Sequence, residues 1–237
     1  MEIYSLRYAI RSRDVNMFQH MRPSQLFELL QEAATDHSEL LGAGVDVIRR
    51  QNLMWVLARQ NVEIVRMPRY GEKITVETWP GKTVHSLYPR YYRLLDNQGE
   101  AIVSSSSIWM LADMGERALV SSSQSGIDFS FEKRGFEIPL PSPPRSFFTD
   151  QSVSFTVPFS YVDMNGHMNN TRYFDLAQDL AGKELEVRRI RQIRAVYSNE
   201  ARLGDRLSVR WGREQEDWLF NGERNGDACF QISFHTA

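Results

Sequence analysis

Tyr4, Leu6, Tyr8 and Ile10 occupy every second position over residues 2–10, the period of a half-buried strand. The period then lengthens. Pro23 suits the first turn of a helix, where its missing N–H breaks no hydrogen bond, and Leu26, Phe27, Leu29, Leu30, Ala33, Ala34, His37 and Leu41 follow at helical spacing. Strand-like runs come next over residues 53–65, 73–79, 87–95 and 101–111, with Arg69-Tyr70-Gly71 and Asp96-Asn97-Gln98-Gly99 as turns. Successive strands after a single helix predict an antiparallel sheet, because parallel neighbours would each need a crossover helix. The expected class is α+β, with one sheet curling around one helix.

Residues 115–150 read as a linker, polar from 121 to 130 and then carrying Pro139, Pro141, Pro143 and Pro144, which disfavour helix and central strand alike. Beyond it the order starts again. Val153, Phe155, Val157 and Phe159 alternate, a helix fits residues 170–181, and strands fit 193–200, 207–211 and 228–235, with Asn221-Gly222 and Asn225-Gly226 as tight turns. The halves also match in sequence. His20-Met21 echoes His167-Met168, and seven residues later F-E-L-L-Q-E-A-A echoes F-D-L-A-Q-D-L-A. Further on, Y-G-E-K-I-T-V from Tyr70 echoes L-G-D-R-L-S-V from Leu203. The chain is therefore read as a duplicated unit: 1–114, a linker at 115–150, and 151–237.

Composition narrows the class. Of the 237 residues, 42% are hydrophobic and 24% charged, enough apolar material for folded cores. The sequence has no apolar run of about 18 residues to cross a bilayer. Residues 1–12 carry Glu2, Arg7 and Arg11 in place of an apolar signal core, so a cytoplasmic protein without membrane insertion is expected. A net charge of −2 from interspersed charges offers no footprint for nucleic acid. The run Arg188, Arg189, Arg191 and Arg194 reads as a solvated face. Cys229 is the sole cysteine, which excludes an intrachain disulfide, and the five histidines lack metal-ligand spacing, so no metal is expected. G-x-S-x-G, Walker and dinucleotide motifs are absent.

The candidate chemistry lies in residues 163–173, D-M-N-G-H-M-N-N-T-R-Y. Asp163, Asn165 and His167 come between an alternating strand and a helix, and Asn169-Asn170 can cap that helix. Polar groups would thus meet helix N–H groups and the positive dipole end, which suit a carbonyl oxygen gaining charge. Gly166 permits a tight backbone turn there.

This stretch resembles the signature of hotdog-fold thioesterases. The two-unit layout, with the motif in the second unit, resembles acyl-acyl carrier protein (acyl-ACP) thioesterases of plants and bacteria over nearly the full length. The resemblance implies two tandem hotdog units, each an antiparallel sheet wrapped around a central helix. It further implies hydrolysis of acyl-ACP to free fatty acid in fatty acid biosynthesis, with no cofactor. The family places a glutamate in a Y-x-x-E-C context on a later strand. Here Tyr197-Ser198-Asn199-Glu200-Ala201 supplies Glu200 and lacks the cysteine, so a cysteine nucleophile is excluded at that position.

The expected catalytic set is Asp163, Asn165, His167 and Glu200. Glu200 and His167 would position and deprotonate water, Asn165 would bond that water or the thioester, and Asp163 would make the first strong polar contact. Attack by Asp163 itself, through an anhydride, is the alternative route. The first unit shows Asp14, Asn16 and His20 with two extra residues between them, and Arg22-Pro23 in place of Asn169-Asn170, so it is not expected to catalyse. Its share would be the acyl pocket, with Met17, Phe18, Met54 and Trp55 joining Asn169 and Asn170 as substrate-binding residues. Rival readings are an acyl-CoA thioesterase and a non-catalytic acyl-thioester-binding module. Oligomeric state is open between monomer and homodimer.

Overall fold

The computed structural model describes residues 3–129, 139–142, 147, 149, 151–185 and 187–237. The first unit runs β1 (Tyr4–Ala9), α1 (Pro23–Leu40), α2 (Val45–Arg50), β2 (Leu53–Ile64), β3 (Lys73–Pro80), β4 (Tyr88–Leu95) and β5 (Ala101–Asp113). After β6 (Leu119–Val120) and the single turn α3 (Ser122–Ser125), the second unit runs β7 (Ser152–Thr156), α4 (Arg172–Ala181), β8 (Ile190–Tyr197), β9 (Arg206–Glu214), β10 (Asp217–Arg224) and β11 (Asp227–Thr236).

All these strands join one antiparallel sheet in the order β1-β3-β4-β5-β2-β8-β11-β10-β9-β7, with β6 paired to β5. Each half repeats the same order, and the halves meet where β2 pairs β8, with Asn61 opposite Arg194. Two hotdog units thus share a continuous sheet, and α1 and α4 lie against one another in its embrace. The expected helical face of α1 is the buried one: Leu26, Phe27, Leu29, Leu30, Ala33, Ala34 and His37 are all buried. At its centre Phe27 meets Phe174, its counterpart in the other unit, with ring centroids 3.9 Å apart and both rings fully buried.

The structure departs from the sequence reading at identifiable places. Asn221-Gly222 is no turn but lies inside β10, a strand not anticipated from the pattern. The reason is packing: a Cβ at Gly222 would come within 2.0 Å of the Phe230 ring, so glycine here makes room for a neighbour. The chain reverses instead at Gln215, which takes φ 55°, and at Asn225-Gly226, as expected. Helix α2 was likewise not foreseen, being one short turn after Gly44.

The stretch read as linker packs at its start, where Phe129 is buried and its ring lies edge-on to Tyr88 at 6.1 Å. Farther on, Ser106 Oγ donates to Pro139 O at 2.8 Å; Pro143 and Pro144 lie outside the described residues. Ser105, Ser106 and Ser107 of β5 are buried with partners at hand, Ser105 donating to Asn61 O on β2 and Ser107 to Arg90 O on β4.

Candidate active site

Residues 163–168 form a closed polar turn. Asp163 Oδ1 accepts the Asn165 N–H at 2.8 Å, Asp163 O accepts the Gly166 N–H at 3.0 Å, and Asp163 N donates to His167 O at 2.9 Å. Gly166 sits at φ 78°, which a residue without Cβ adopts at little cost. The chain then runs beside residues 201–202: His167 bridges to Arg202, and Met168 N donates to Ala201 O at 2.7 Å.

That pairing sets Glu200 against the imidazole, His167 Nε2 to Glu200 Oε2 at 2.8 Å. Glu200 is not on a strand, as the sequence reading had it. β8 ends at Tyr197, and the backbone amides of Ser198 and Asn199 both turn onto Cys229 O. The other carboxylate oxygen, Oε1, accepts from Arg117 Nη1 at 3.2 Å, and Arg202 Nη2 lies 3.8 Å from Oε2. Burial holds the His167 pKa below the ordinary imidazole value, with Arg117 and Arg202 adding to the depression and Glu200 and Asp163 opposing it. The net effect favours the neutral ring.

At the helix entrance Asn169 Oδ1 accepts the Thr171 N–H at 2.9 Å and Asn169 O accepts the Arg172 N–H at 2.9 Å. These two donors are therefore engaged. The Asn170 N–H has no acceptor among the described residues. Asn165, expected to face substrate, is exposed and its Oδ1 accepts from Arg49 Nη2 on α2 at 3.2 Å.

Asp163, Asn165, His167, Asn169, Asn170 and Glu200 line a cavity of about 460 Å³ together with first-unit side chains, among them Met54, Trp55, Tyr88 and Trp109. Arg90 belongs to the same wall; it is buried, and it donates to His37 Nδ1, Thr78 Oγ1 and Ser38 Oγ, tying α1 to the sheet. Met54 and Trp55 are part of that lining. Met17 and Phe18 are not: they are 77% and 52% exposed and do not line the cavity. Among the described residues no cluster of three or more His, Cys, Asp or Glu could hold a metal ion.

The reason for that correction lies in the register of the first corner. Asn16 N donates to His20 O, Gln19 N to Asn16 O and Met21 N to Pro68 O, bond for bond the pattern made by Asp163, Gly166 and Met168. The two turns are therefore equal in length, without the two extra residues inferred from aligning Asp14 with Asp163. Asn16 stands where the second unit has Asp163, Met17 where it has Met164, and Phe18 where it has Asn165. Met17 and Phe18 thus ride the outside of a turn, as exposed Met164 does. Met67 stands for Glu200, and Pro23, which has no N–H, for Asn170. Asp14 is buried elsewhere, accepting from Tyr8 Oη and Arg11 N. Asn16 Oδ1 still accepts the Phe18 N–H at 3.0 Å, as Asp163 accepts that of Asn165, but the first corner lacks counterparts to the Asp163 and Glu200 carboxylates and to the Asn170 N–H.

The sequence matches the description "Acyl-ACP thioesterase N-terminal domain" over residues 1–124 and "Acyl-ACP thioesterase C-terminal domain" over residues 147–229. The chain belongs to the acyl-ACP thioesterase family. Among family members, a chloroplastic palmitoyl-acyl carrier protein thioesterase of Cuphea hookeriana is 24% identical over 72% of this chain. The chloroplastic oleoyl-acyl carrier protein thioesterase 1 of Arabidopsis thaliana is 23% identical over 85% of this chain. The matched regions are 45% and 61% of those plant proteins. A crystal structure of an acyl-ACP thioesterase from Bacteroides thetaiotaomicron shares the fold with a TM-score of 0.87 at 24% identity, covering 99% of this chain and 98% of that one. The 12:0-ACP thioesterase from Umbellularia californica aligns with a TM-score of 0.82 at 20% identity, covering 99% of this chain and 97% of that one.

Two side chains that the sequence reading passed over reach the family's motif from outside the second unit, Arg49 from α2 and Arg117 from the hairpin after β5. No periodicity marks them; only the turn residues Asp113 and Gly115 around the second hint at a built hairpin.

Proposed function

We propose that the chain hydrolyses the thioester of acyl-acyl carrier protein and releases free fatty acid in fatty acid biosynthesis. The observation that carries this reading is the 2.8 Å His167–Glu200 pair at a cavity lined by both units. The paired base takes a proton from water, and the resulting hydroxide attacks the thioester carbonyl carbon. The Asn170 N–H, near the positive end of α4, stabilises the oxyanion. Collapse of the tetrahedral intermediate expels the pantetheine thiolate, which recovers the proton. Asp163, with one oxygen engaged by its own turn, holds the corner in shape. Met54 and Trp55 contact the acyl chain, and residues 1–114 supply the pocket, 115–150 the connection, whose opening hairpin through β6 stays paired to β5 of the first unit, and 151–237 the catalytic groups.

The depressed His167 pKa gives a pH expectation. If the neutral ring is needed, single-turnover kcat stays level above the ordinary imidazole value of 6.5 and falls only at lower pH, as the ring takes up a proton. An acidic limb centred above 7 would contradict that assignment.

Carrier protein and coenzyme A present the same pantetheine arm, so the choice between them is tested by matched substrates. Thiol release from acyl-ACP of graded chain length is expected to exceed that from the equivalent acyl-CoA in kcat/KM by about tenfold or more, the step that 1.4 kcal/mol of added contact would give. A preference for the CoA ester would replace the carrier-protein reading with the acyl-CoA one. Binding without thiol release would make the chain an acyl-thioester-binding module.

A further inference from the structure

Glu200 is gripped on two sides, and one of them comes from the hairpin that closes on β5 of the first unit. Its Oε2 faces His167, while its Oε1 accepts from Arg117, which lies beyond the end of β5. We infer that Arg117 is a positioning residue for thioester hydrolysis, fixing the Glu200 carboxylate so that Oε2 stays on His167. The hairpin that extends the first unit would then contribute to the chemistry, beside the pocket that unit supplies. This rests on the reading of Glu200 and His167 as the water-activating pair.

The placement of Arg117 is built into its hairpin. Asp113 Oδ1 accepts the N–H groups of Gly115 and Glu116 at 2.7 and 2.8 Å, and Oδ2 accepts from Asn52 Nδ2 at 3.0 Å. Arg117 N donates to Asp113 O at 3.0 Å, and Asp113 N donates to Ala118 O at 2.9 Å. Within this frame Arg117 takes φ 60°, a region that residues other than glycine seldom occupy. The side chain leaves that backbone towards two residues that line the cavity, Nη1 lying 2.7 Å from Met54 Sδ and 3.2 Å from Glu200 Oε1. Arg117 thus sits where the acyl wall and the carboxylate meet.

A carboxylate one-third exposed, past the end of its strand, has rotameric freedom to lose. A charge-assisted bond to the oxygen that His167 does not use removes that freedom. Arg202 cannot substitute, because it approaches the oxygen already on His167, at 3.8 Å, and is the more exposed of the two arginines.

The test compares Arg117→Met and Arg117→Lys with wild type and Glu200→Ala, on acyl-ACP and on the acyl thioester of free pantetheine. Arg117→Met is expected to lower kcat on both substrates by about ten- to a hundredfold, with KM changed little, as misplacement of a catalytic group does. The acidic limb of kcat should move to higher pH in Arg117→Met. A cation facing His167 is gone, leaving Glu200, Arg202 and Asp163 around the ring. Arg117→Lys should restore the limb and only part of kcat, since an ammonium replaces charge but not the planar fork. Adding Arg117→Met to Glu200→Ala should cost little more.

Arg117→Met with kcat and limb unchanged, while Glu200→Ala is inactive, would overturn the inference and leave the proposed function standing. So would a rise in KM confined to acyl-ACP, the mark of a docking residue, or a fall in kcat and melting temperature with the limb unmoved. Full activity in Glu200→Ala would overturn the pair and the inference together.

Discussion

Glu200→Ala is expected to lower single-turnover kcat for thioester hydrolysis by about a hundred- to ten-thousandfold, the range that a positioned acid or base contributes. The loss should be chemical. Glu200 is one-third exposed and pairs with Arg117, itself 39% exposed, so its removal should shift folding stability by no more than about 1 kcal/mol. His167 would keep its place through the backbone bridge to Arg202. Its ring would lose the nearest carboxylate while the opposing cations of Arg117 and Arg202 remain, so its pKa should fall further. Any residual activity in Glu200→Ala should therefore persist to lower pH than in wild type. Glu200→Gln separates shape from charge: it can still bond His167 but cannot accept a proton from water, and it should be nearly as slow as alanine. Thiol release by Glu200→Gln within threefold of wild type would remove Glu200 from the chemistry.

Much of this site was legible in the chain because it is local. The turn over residues 163–168 closes on its own backbone, and its residue types announce it. The duplication was legible too, since the seven-residue step from His20 to Phe27 recurs from His167 to Phe174. What one dimension could not hold was the meeting of the units. Arg49 and Arg117 are separated from Asn165 and Glu200 by 116 and 83 residues, and only the folded chain brings them near.

The error over Met17 and Phe18 has a similar origin. Matching Asp14 to Asp163 by residue type placed two extra residues in the turn, whereas the hydrogen-bond register shows Asn16 in that place. Gly222 misled for the opposite reason, because a glycine that makes room for Phe230 looks in sequence like one that makes a turn. Strand β10 was lost with it.

The Phe27–Phe174 contact is where the largest effect on stability is expected. Each of Phe27→Ala and Phe174→Ala should cost about 3–5 kcal/mol in urea unfolding, the usual range for emptying a buried aromatic site. Phe174→Ala should be the costlier, because its ring also packs edge-on against Phe234 at 6.2 Å, and such pairs add about 0.5–1.5 kcal/mol beyond burial. The double replacement should cost less than the sum, since the two rings touch and empty a shared space. Because the sheet runs unbroken through β2 and β8, unfolding should remain a single transition in both variants. Near-UV circular dichroism and far-UV ellipticity should then report the same midpoint. A variant in which half the ellipticity melts first would mean that the units fold independently and that the sheet junction, though hydrogen-bonded, carries little of the coupling. Activity should fall with stability in these variants, since Ala34, Thr35 and Ser38 of α1 and Tyr173 of α4 line the same cavity. Loosening the helix pair would therefore disturb the wall against which the acyl chain is held.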